Sequence, residues 1–276
     1  MAWPTFIVIG GMKCGTTSLY EYLRLHPQVD MGLKKELNYF SKKIYEKKRS
    51  EWYRSGFNED AIARGDVSPF YLKTHLDAGT PARIHSHIPQ VKLICLLRDP
   101  VARFLSHYRH CLHRKRTQLD ANAFVYQELE RKGNVFLTGC YGMHLDLYLQ
   151  YFDRSQFLLL RTEDLYSSRR RVLREVFDFI GVDKNFVCEG FNDLHHVSDR
   201  KSIAEGSLTS GGHPNSSVAA SNCSGKLKVG GGFSERTAEA ANNSTIRALE
   251  KAYAEQTAVL ASRFSVTLAH YRDASN

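Results

Sequence analysis

The sequence predicts an α/β domain, a parallel sheet flanked by helices, folded as a single domain across residues 1–276. Three observations carry that expectation. Three short runs are almost wholly apolar, each precedes a segment with helical periodicity, and the first meets its helix through a glycine-rich turn. Apolar runs without polar alternation mark strands buried on both faces, and their alternation with amphipathic helices is the pattern of a parallel sheet.

The first strand is Thr5-Phe6-Ile7-Val8-Ile9, followed by Gly10-Gly11-Met12-Lys13-Cys14-Gly15 and a helix opening at Thr16-Thr17-Ser18, with Leu19, Tyr22, Leu23 and Leu25 as its apolar face. The second is residues 91–97, ending at Arg98-Asp99-Pro100, before a helix carrying Val101, Phe104, Leu105 and Tyr108. The third is residues 156–160. It ends at Arg161-Thr162-Glu163-Asp164-Leu165, and the helix after it uses Val172, Leu173, Val176, Phe177 and Ile180 before stopping at Gly181. Residues 206–233 differ: their 28 positions hold seven glycines, six serines and no acidic group. Such a stretch buries too little apolar surface to offset its ordering entropy, so a long flexible Gly/Ser-rich loop is expected there. An amphipathic helix over about 235–262 follows, using Ile246, Leu249, Tyr253, Val259 and Leu260.

Composition bounds the chemistry. With 42% hydrophobic and 24% charged residues, the chain has globular usage, which excludes wholesale disorder, collagen and a disulfide-framed miniprotein. No apolar run approaches the roughly 20 residues that span a bilayer, and the N-terminal strand is too short for a signal peptide. The chain is therefore read as soluble and cytoplasmic, with the Golgi lumen as the alternative for a trimmed, membrane-anchored protein. The six cysteines are scattered singly without zinc-like spacing, as reduced thiols would be. The N-glycosylation patterns at Asn215, Asn222 and Asn242 are expected to be chance matches in Ser/Asn-rich stretches. Lys+Arg 38 against Asp+Glu 29 gives a formal charge of +9, concentrated at 42–54, 114–116 and 169–171. Several basic clusters favour an anionic ligand, and no nucleic-acid-binding motif accompanies them.

The turn after the first strand is the most informative feature. Backbone N–H groups of a glycine loop at a helix N-terminus make a phosphate cradle. Gly10 and Gly15 have the spacing of a P-loop, yet Thr16-Thr17 follow the second glycine and the lysine precedes it as Lys13. The turn is P-loop-like, with a displaced lysine.

Residues 6–27, Phe-Ile-Val-Ile-Gly-Gly-Met-Lys-Cys-Gly-Thr-Thr-Ser-Leu-Tyr-Glu-Tyr-Leu-Arg-Leu-His-Pro, closely resemble the 5′-phosphosulfate loop of sulfotransferases that use 3′-phosphoadenosine 5′-phosphosulfate (PAPS). The nearest likeness is to the heparan-sulfate type of carbohydrate sulfotransferase and its bacterial relatives. Lys35-Glu36-Leu37-Asn38-Tyr39-Phe40, Asp66-Val67-Ser68-Pro69-Phe70-Tyr71, residues 97–108 and residues 141–164 continue the match in the family's order.

The resemblance implies roles. Lys13 would lie on the sulfuryl group and the bridging oxygen. Cys14, Gly15, Thr16, Thr17 and Ser18 would surround the 5′-phosphate, and Arg98 and Ser106 would grip the 3′-phosphate. Arg200 and Lys201 would cover the 3′-phosphate and adenine, with Lys226 and Lys228 as rivals. Glu36 would be the base that takes the acceptor's proton, with Lys35, Asn38 and Ser68 beside the acceptor. Sulfuryl transfer, like phosphoryl transfer, is expected to rest on positioning and charge stabilisation, and the family needs no metal. Related glycan enzymes often carry a lysine where this chain has Val67, which leaves Lys34 or Lys35 to supply a second cation.

Two other readings compete. A nucleotide-dependent kinase with an atypical P-loop would use Asp99 as the metal-binding acid at the end of its strand. A non-catalytic module would bind acidic glycans through the 42–54 patch. His107, His110 and His113, and the His85/His87 pair, are expected to be ordinary, partly exposed side chains rather than metal ligands. The expected acceptor is a hydroxyl or amine of a small molecule or sugar, without a nucleic-acid or membrane partner.

Overall fold

The computed structural model describes residues 1–192 and 241–268. Five parallel strands form one sheet in the order β2-β3-β1-β4-β5, with β1 Phe6–Gly10, β2 Val29–Asp30, β3 Ala63–Val67, β4 Lys92–Leu97 and β5 Phe157–Arg161. All five residues of β1 are buried, as are the last five of β4, so the centre of the sheet is covered on both faces. β1 pairs with β3 on one side (Phe6 opposite Gly65) and with β4 on the other (Phe6 opposite Lys92). The register against β4 slips between Val8 and Gly10, where the chain leaves the sheet for the loop.

The three apolar runs are β1, β4 and β5, each within one residue of its expected start. β2 and β3 were not called as strands. β2 is two residues long, and β3, Ala-Arg-Gly-Asp-Val, carries an arginine and an aspartate that mask its periodicity. Gly65 is needed there because a Cβ at that position would lie 2.2 Å from the Phe6 ring.

The main helices follow the strands. α1 is Thr16–Arg24, α2 Lys42–Tyr45, α3 Ser50–Arg54, α4 Thr80–His87, α5 Pro100–His113, α6 Ala121–Glu130, α7 Asn134–Leu137, α8 Tyr141–Tyr148, α9 Thr162–Ser167 and α10 Arg169–Ile180. α10 ends at Gly181, whose φ of 85° closes the helix in the left-handed region open to glycine. A long helix, Asn243–Phe264, lies close to the expected 235–262. Asn242 caps it, its Oδ1 accepting from the Thr245 N–H at 2.9 Å, so this sequon asparagine is engaged in the fold. The expected loop at 206–233 lies outside the described residues.

Two apolar clusters form the core. One surrounds the sheet. The other joins α5, α6 and the long helix through Phe104, Tyr108, Phe124, Val125, Leu249 and Tyr253. The first also takes in an aromatic group under the basic 42–54 stretch, where Tyr39 stacks on Tyr53 with centroids 4.6 Å apart. Cys14, Cys95, Cys111, Cys140 and Cys188 are free thiols, as expected. Leu249 is fully buried, so Leu249→Ala is expected to lower the unfolding free energy by about 2 to 5 kcal/mol in urea denaturation. A loss below about 1 kcal/mol would show that the long helix is not part of the core.

Candidate active site

In an open parallel sheet, ligands bind beyond the carboxyl ends of the strands, where the strand order reverses. Here that point lies between β1 and β4. The loop leaving β1 returns to α1 at Gly15, which has φ 84° and takes the N-cap position without a side-chain cap. A Cβ at Gly10 would sit 2.7 Å from Leu72, so the loop also needs glycine where it passes the turn after β3. The Gly11 N–H donates to the Leu96 carbonyl (2.6 Å), and the Thr162 hydroxyl lies 2.7 Å from the Cys14 carbonyl and 2.9 Å from that of Leu97. The cradle is thus fixed to the ends of β4 and β5, and the dipole of α1 favours an anion at the helix N-terminus.

The expected cradle residues divide by exposure. Lys13 and Thr17 are half-buried, whereas Thr16, Ser18 and Cys14 are buried. The Cys14 sulfur faces inward, 3.4 Å from the Tyr141 hydroxyl, and burial pushes its thiol pKa up. The Cys14 backbone is engaged as well, its N–H donating to the Gly11 carbonyl at 3.2 Å and its carbonyl taking the Thr162 hydroxyl, so Cys14 shapes the loop from within. Lys13 adopts a left-handed backbone, φ 68°, and its charge is among those holding His107 and His110 on α5 below the usual imidazole range.

The second wall is the turn at residues 34–40. Lys35 Nζ donates to Thr17 Oγ1 at 2.7 Å and to Glu36 Oε1 at 3.0 Å. One ammonium therefore joins the cradle helix to the Glu36 carboxylate, which is 52% exposed. This places Lys35 as a bridge between the two walls. Asn38 lies two residues on. Its N–H donates to Ser68 Oγ (3.1 Å), its Nδ2 donates to the Glu36 carbonyl (3.0 Å), and its Oδ1 is buried without a hydrogen bond. Ser68 is fully buried, so it meets the turn rather than open solvent.

The third wall is the end of β4. Arg98 makes no hydrogen bond or ion pair among the described residues. Its neighbour Asp99 caps α5 instead, its Oδ1 accepting from the Ala102 N–H at 2.7 Å, while the Asp99 N–H donates to Glu163 Oε1 at 3.2 Å. Burial first, with the Glu163 charge adding, pushes the Asp99 carboxyl up to about 6 against the pull of its amide donors. At the strand end where a kinase would use an aspartate on a metal, Asp99 serves as the helix cap. Ser106, two turns into α5, is buried. Arg200 and Lys201 lie outside the described residues.

Three features escaped the sequence reading. His107 is 2% exposed rather than partly exposed, because α6, α7 and the long helix pack on α5, and Arg103 Nη1 donates to its Nδ1 at 3.2 Å. Burial, with Arg103 and Lys73 adding, pushes that imidazole down to about 2. Lys73, just beyond the turn after β3, is 7% exposed, and its ammonium has no hydrogen bond among the described residues. Burial and Arg103 lower its pKa to about 8. Asp66 is 2% exposed, and burial pushes its carboxyl up to about 6 even though Ser68, Tyr53 and Tyr71 all donate to it. Only Asp66 had a visible signal, a charged residue in the Asp66-Val67-Ser68-Pro69 stretch that matches the family.

A model of the sulfotransferase domain matches residues 4–201, and the chain belongs to that family. It is 32% identical over 195 residues to human heparan sulfate glucosamine 3-O-sulfotransferase 6, covering 67% of this chain and 55% of that protein. It is 29% identical over 206 residues to the mouse bifunctional heparan sulfate N-deacetylase/N-sulfotransferase 4, covering 66% of this chain and 23% of that protein. The chain thus spans about half the length of the first of these relatives and a quarter of the second. A sulfotransferase from Alicyclobacillus acidocaldarius has the same fold, with a TM-score of 0.71 over 97% of this chain and 98% of that one at 22% identity. Among the described residues no helix is long and apolar enough to cross a membrane.

The raised Asp66 pKa makes a stability prediction. Its folded value exceeds the unfolded value near 3.9, so the folded state binds more protons between about pH 4 and pH 6, and the contribution of this group is lost as pH rises through that window. The wild type should lose about 2 to 3 kcal/mol relative to Asp66→Asn between pH 4 and pH 7 in urea denaturation. A difference independent of pH would contradict the burial of this charge.

Proposed function

We propose that this chain transfers the sulfuryl group of PAPS to a hydroxyl or amine of a small molecule or sugar. The observation that carries the reading is the Lys35 bridge from Thr17 Oγ1 to Glu36 Oε1, which puts a solvent-accessible carboxylate beside a phosphate cradle. The Arg98 guanidinium at the end of β4, which forms no ion pair or hydrogen bond among the described residues, supports a second phosphate site, since an arginine fork suits a phosphate.

In this reading the N–H groups at the start of α1, with Thr17 and Ser18, bind the 5′-phosphate, and Arg98 and Ser106 bind the 3′-phosphate. The acceptor oxygen or nitrogen attacks sulfur in line. A new bond to sulfur forms as the bond from sulfur to the bridging oxygen breaks, its electron pair leaving on the 5′-phosphate. Glu36 takes the acceptor's proton, and Lys13 offsets the charge growing on the leaving oxygen. Lys35 holds Glu36 toward the cradle. The heparan sulfate sulfotransferases among the relatives favour a carbohydrate acceptor, and their names include transfer to both oxygen and nitrogen.

Release of 3′-phosphoadenosine 5′-phosphate from PAPS, assayed with heparan sulfate and with a panel of phenols and amines, tests the roles. Lys13→Ala and Glu36→Gln should each lower turnover by about a hundredfold or more, a loss of about 2.7 kcal/mol of transition-state stabilisation. Glu36→Gln should leave nucleotide affinity within about twofold. Arg98→Ala should weaken binding of 3′-phosphoadenosine 5′-phosphate by at least about tenfold and leave adenosine 5′-phosphate binding unchanged. Full activity of Glu36→Gln would remove the base, and equal losses for both nucleotides would remove Arg98 from the 3′-phosphate.

A further inference from the structure

A buried carboxylate beside the site has three hydroxyl partners and no part in the chemistry described so far. Asp66, the fourth residue of β3, accepts from Ser68 Oγ on Oδ1 at 2.8 Å, and from Tyr53 Oη at 2.9 Å and Tyr71 Oη at 3.1 Å on Oδ2. An ionised carboxylate only accepts, so all three hydroxyls must turn their protons toward it. Two of them then face the neighbouring turn with lone pairs. Ser68 Oγ accepts from the Asn38 N–H at 3.1 Å, and Tyr71 Oη accepts from the Phe40 N–H at 3.1 Å.

That turn is the one carrying Glu36, and it has reason to need anchors. Glu36 and Asn38 both lie in the left-handed region, at φ 64° and 50°, a conformation that is strained for a residue such as Glu36. The Asn38 Nδ2 bond to the Glu36 carbonyl lies within the turn, and the Ser41 N–H and hydroxyl donate to the Asn38 carbonyl from just beyond it. Ties to other elements are the Glu36 N–H to the Val67 carbonyl at 2.9 Å, Arg83 Nε to the Phe40 carbonyl at 2.7 Å, and the two N–H bonds to hydroxyls that Asp66 orients.

We propose that Asp66 is a positioning residue for Glu36: acting through Ser68 and Tyr71, it holds the left-handed turn 36–40 so that the Glu36 carboxylate stays against Lys35 and the phosphate cradle. The proposal rests on the reading of Glu36 as the base. In Asp66→Asn one end of the side chain becomes a pair of N–H donors. Either Ser68 or the tyrosine pair then loses its acceptor, and the freed hydroxyl no longer has to offer a lone pair to the turn.

Amide hydrogen exchange on the full chain at pH 7.5 tests this without any acceptor. Asp66→Asn should speed exchange at Glu36, Asn38 and Phe40 by at least about tenfold while β1 and β4 change less than about twofold. Unchanged exchange in the turn, or equal acceleration in the turn and the sheet, would overturn the proposal. If Asp66→Asn does not fold, Ser68→Ala and Tyr71→Phe replace it. Each removes one arm, and each should loosen Asn38 or Phe40 respectively; no local change in either would overturn the proposal.

Turnover supplies the second readout, as 3′-phosphoadenosine 5′-phosphate released from PAPS with water or heparan sulfate as acceptor. Asp66→Asn should lower kcat about tenfold, leave the KM for PAPS unchanged, and add no further loss to Glu36→Gln. The same loss in both backgrounds would mean that Asp66 does not act through Glu36. Full activity of Glu36→Gln alone would fail the base assignment, while the exchange pattern would still report whether Asp66 holds the turn.

Discussion

The hydroxyl of Thr162, immediately after β5, lies within hydrogen-bond reach of both the Cys14 and Leu97 carbonyls and joins the ends of β1, β4 and β5 at one buried point. Everything placed at the carboxyl edge of the sheet depends on that junction. The loop from Gly11 to Gly15 is left-handed at both Lys13 and Gly15. Without a tie on its far side, such a loop would be free to collapse onto the strand ends. The Gly11 bond to Leu96 fixes its start, the Thr162 hydroxyl fixes its exit, and α1 then begins at Gly15 without a side-chain cap. Placing the tie on a buried side chain leaves the backbone donors for a ligand.

The charges around this junction are divided in the same way. Three acids close to the site are engaged inward. Asp99 caps α5, Glu163 receives the Asp99 N–H, and Asp66 is surrounded by hydroxyls. The cations are not matched to them. Among the described residues neither Arg98 nor the buried Lys73 forms an ion pair with an acid. Lys35 spends its charge on Glu36, the half-exposed acid of the site. Because a cation in a partly desolvated cleft attracts an anion far more strongly than on open surface, this arrangement favours a multiply charged ligand. Sulfuryl transfer from a doubly phosphorylated donor has that character.

Much of this was legible in the sequence because the signals were local. Three apolar runs with following helices gave β1, β4 and β5, and the order Gly10, Lys13, Gly15, Thr16, Thr17 marked an anion cradle with a displaced lysine. β2 and β3 were not legible, since β2 is too short for a period and β3 mixes Arg64 and Asp66 with apolar residues that only the partner strands bury. Lys35 stood next to Glu36 in the sequence, but its bond to Thr17 joins residues 18 apart and no spacing predicts it. His107 looked like one of three helix-surface imidazoles. Its burial comes from α6 and the long helix, which pack on α5 from far along the chain. The role of Asp66 is the same kind of case, because its meaning lies in the directions of three hydroxyl protons that tertiary contacts set.

The account stands most directly on what the cradle and Arg98 bind. Calorimetric titration of the unaltered chain with 3′-phosphoadenosine 5′-phosphate in EDTA, against ADP with magnesium, addresses that in one experiment. The account predicts saturable binding of the 3′-phosphorylated nucleotide without metal, at least about tenfold tighter than ADP. Tighter binding of ADP with magnesium, or no binding of the 3′-phosphorylated nucleotide, would contradict it.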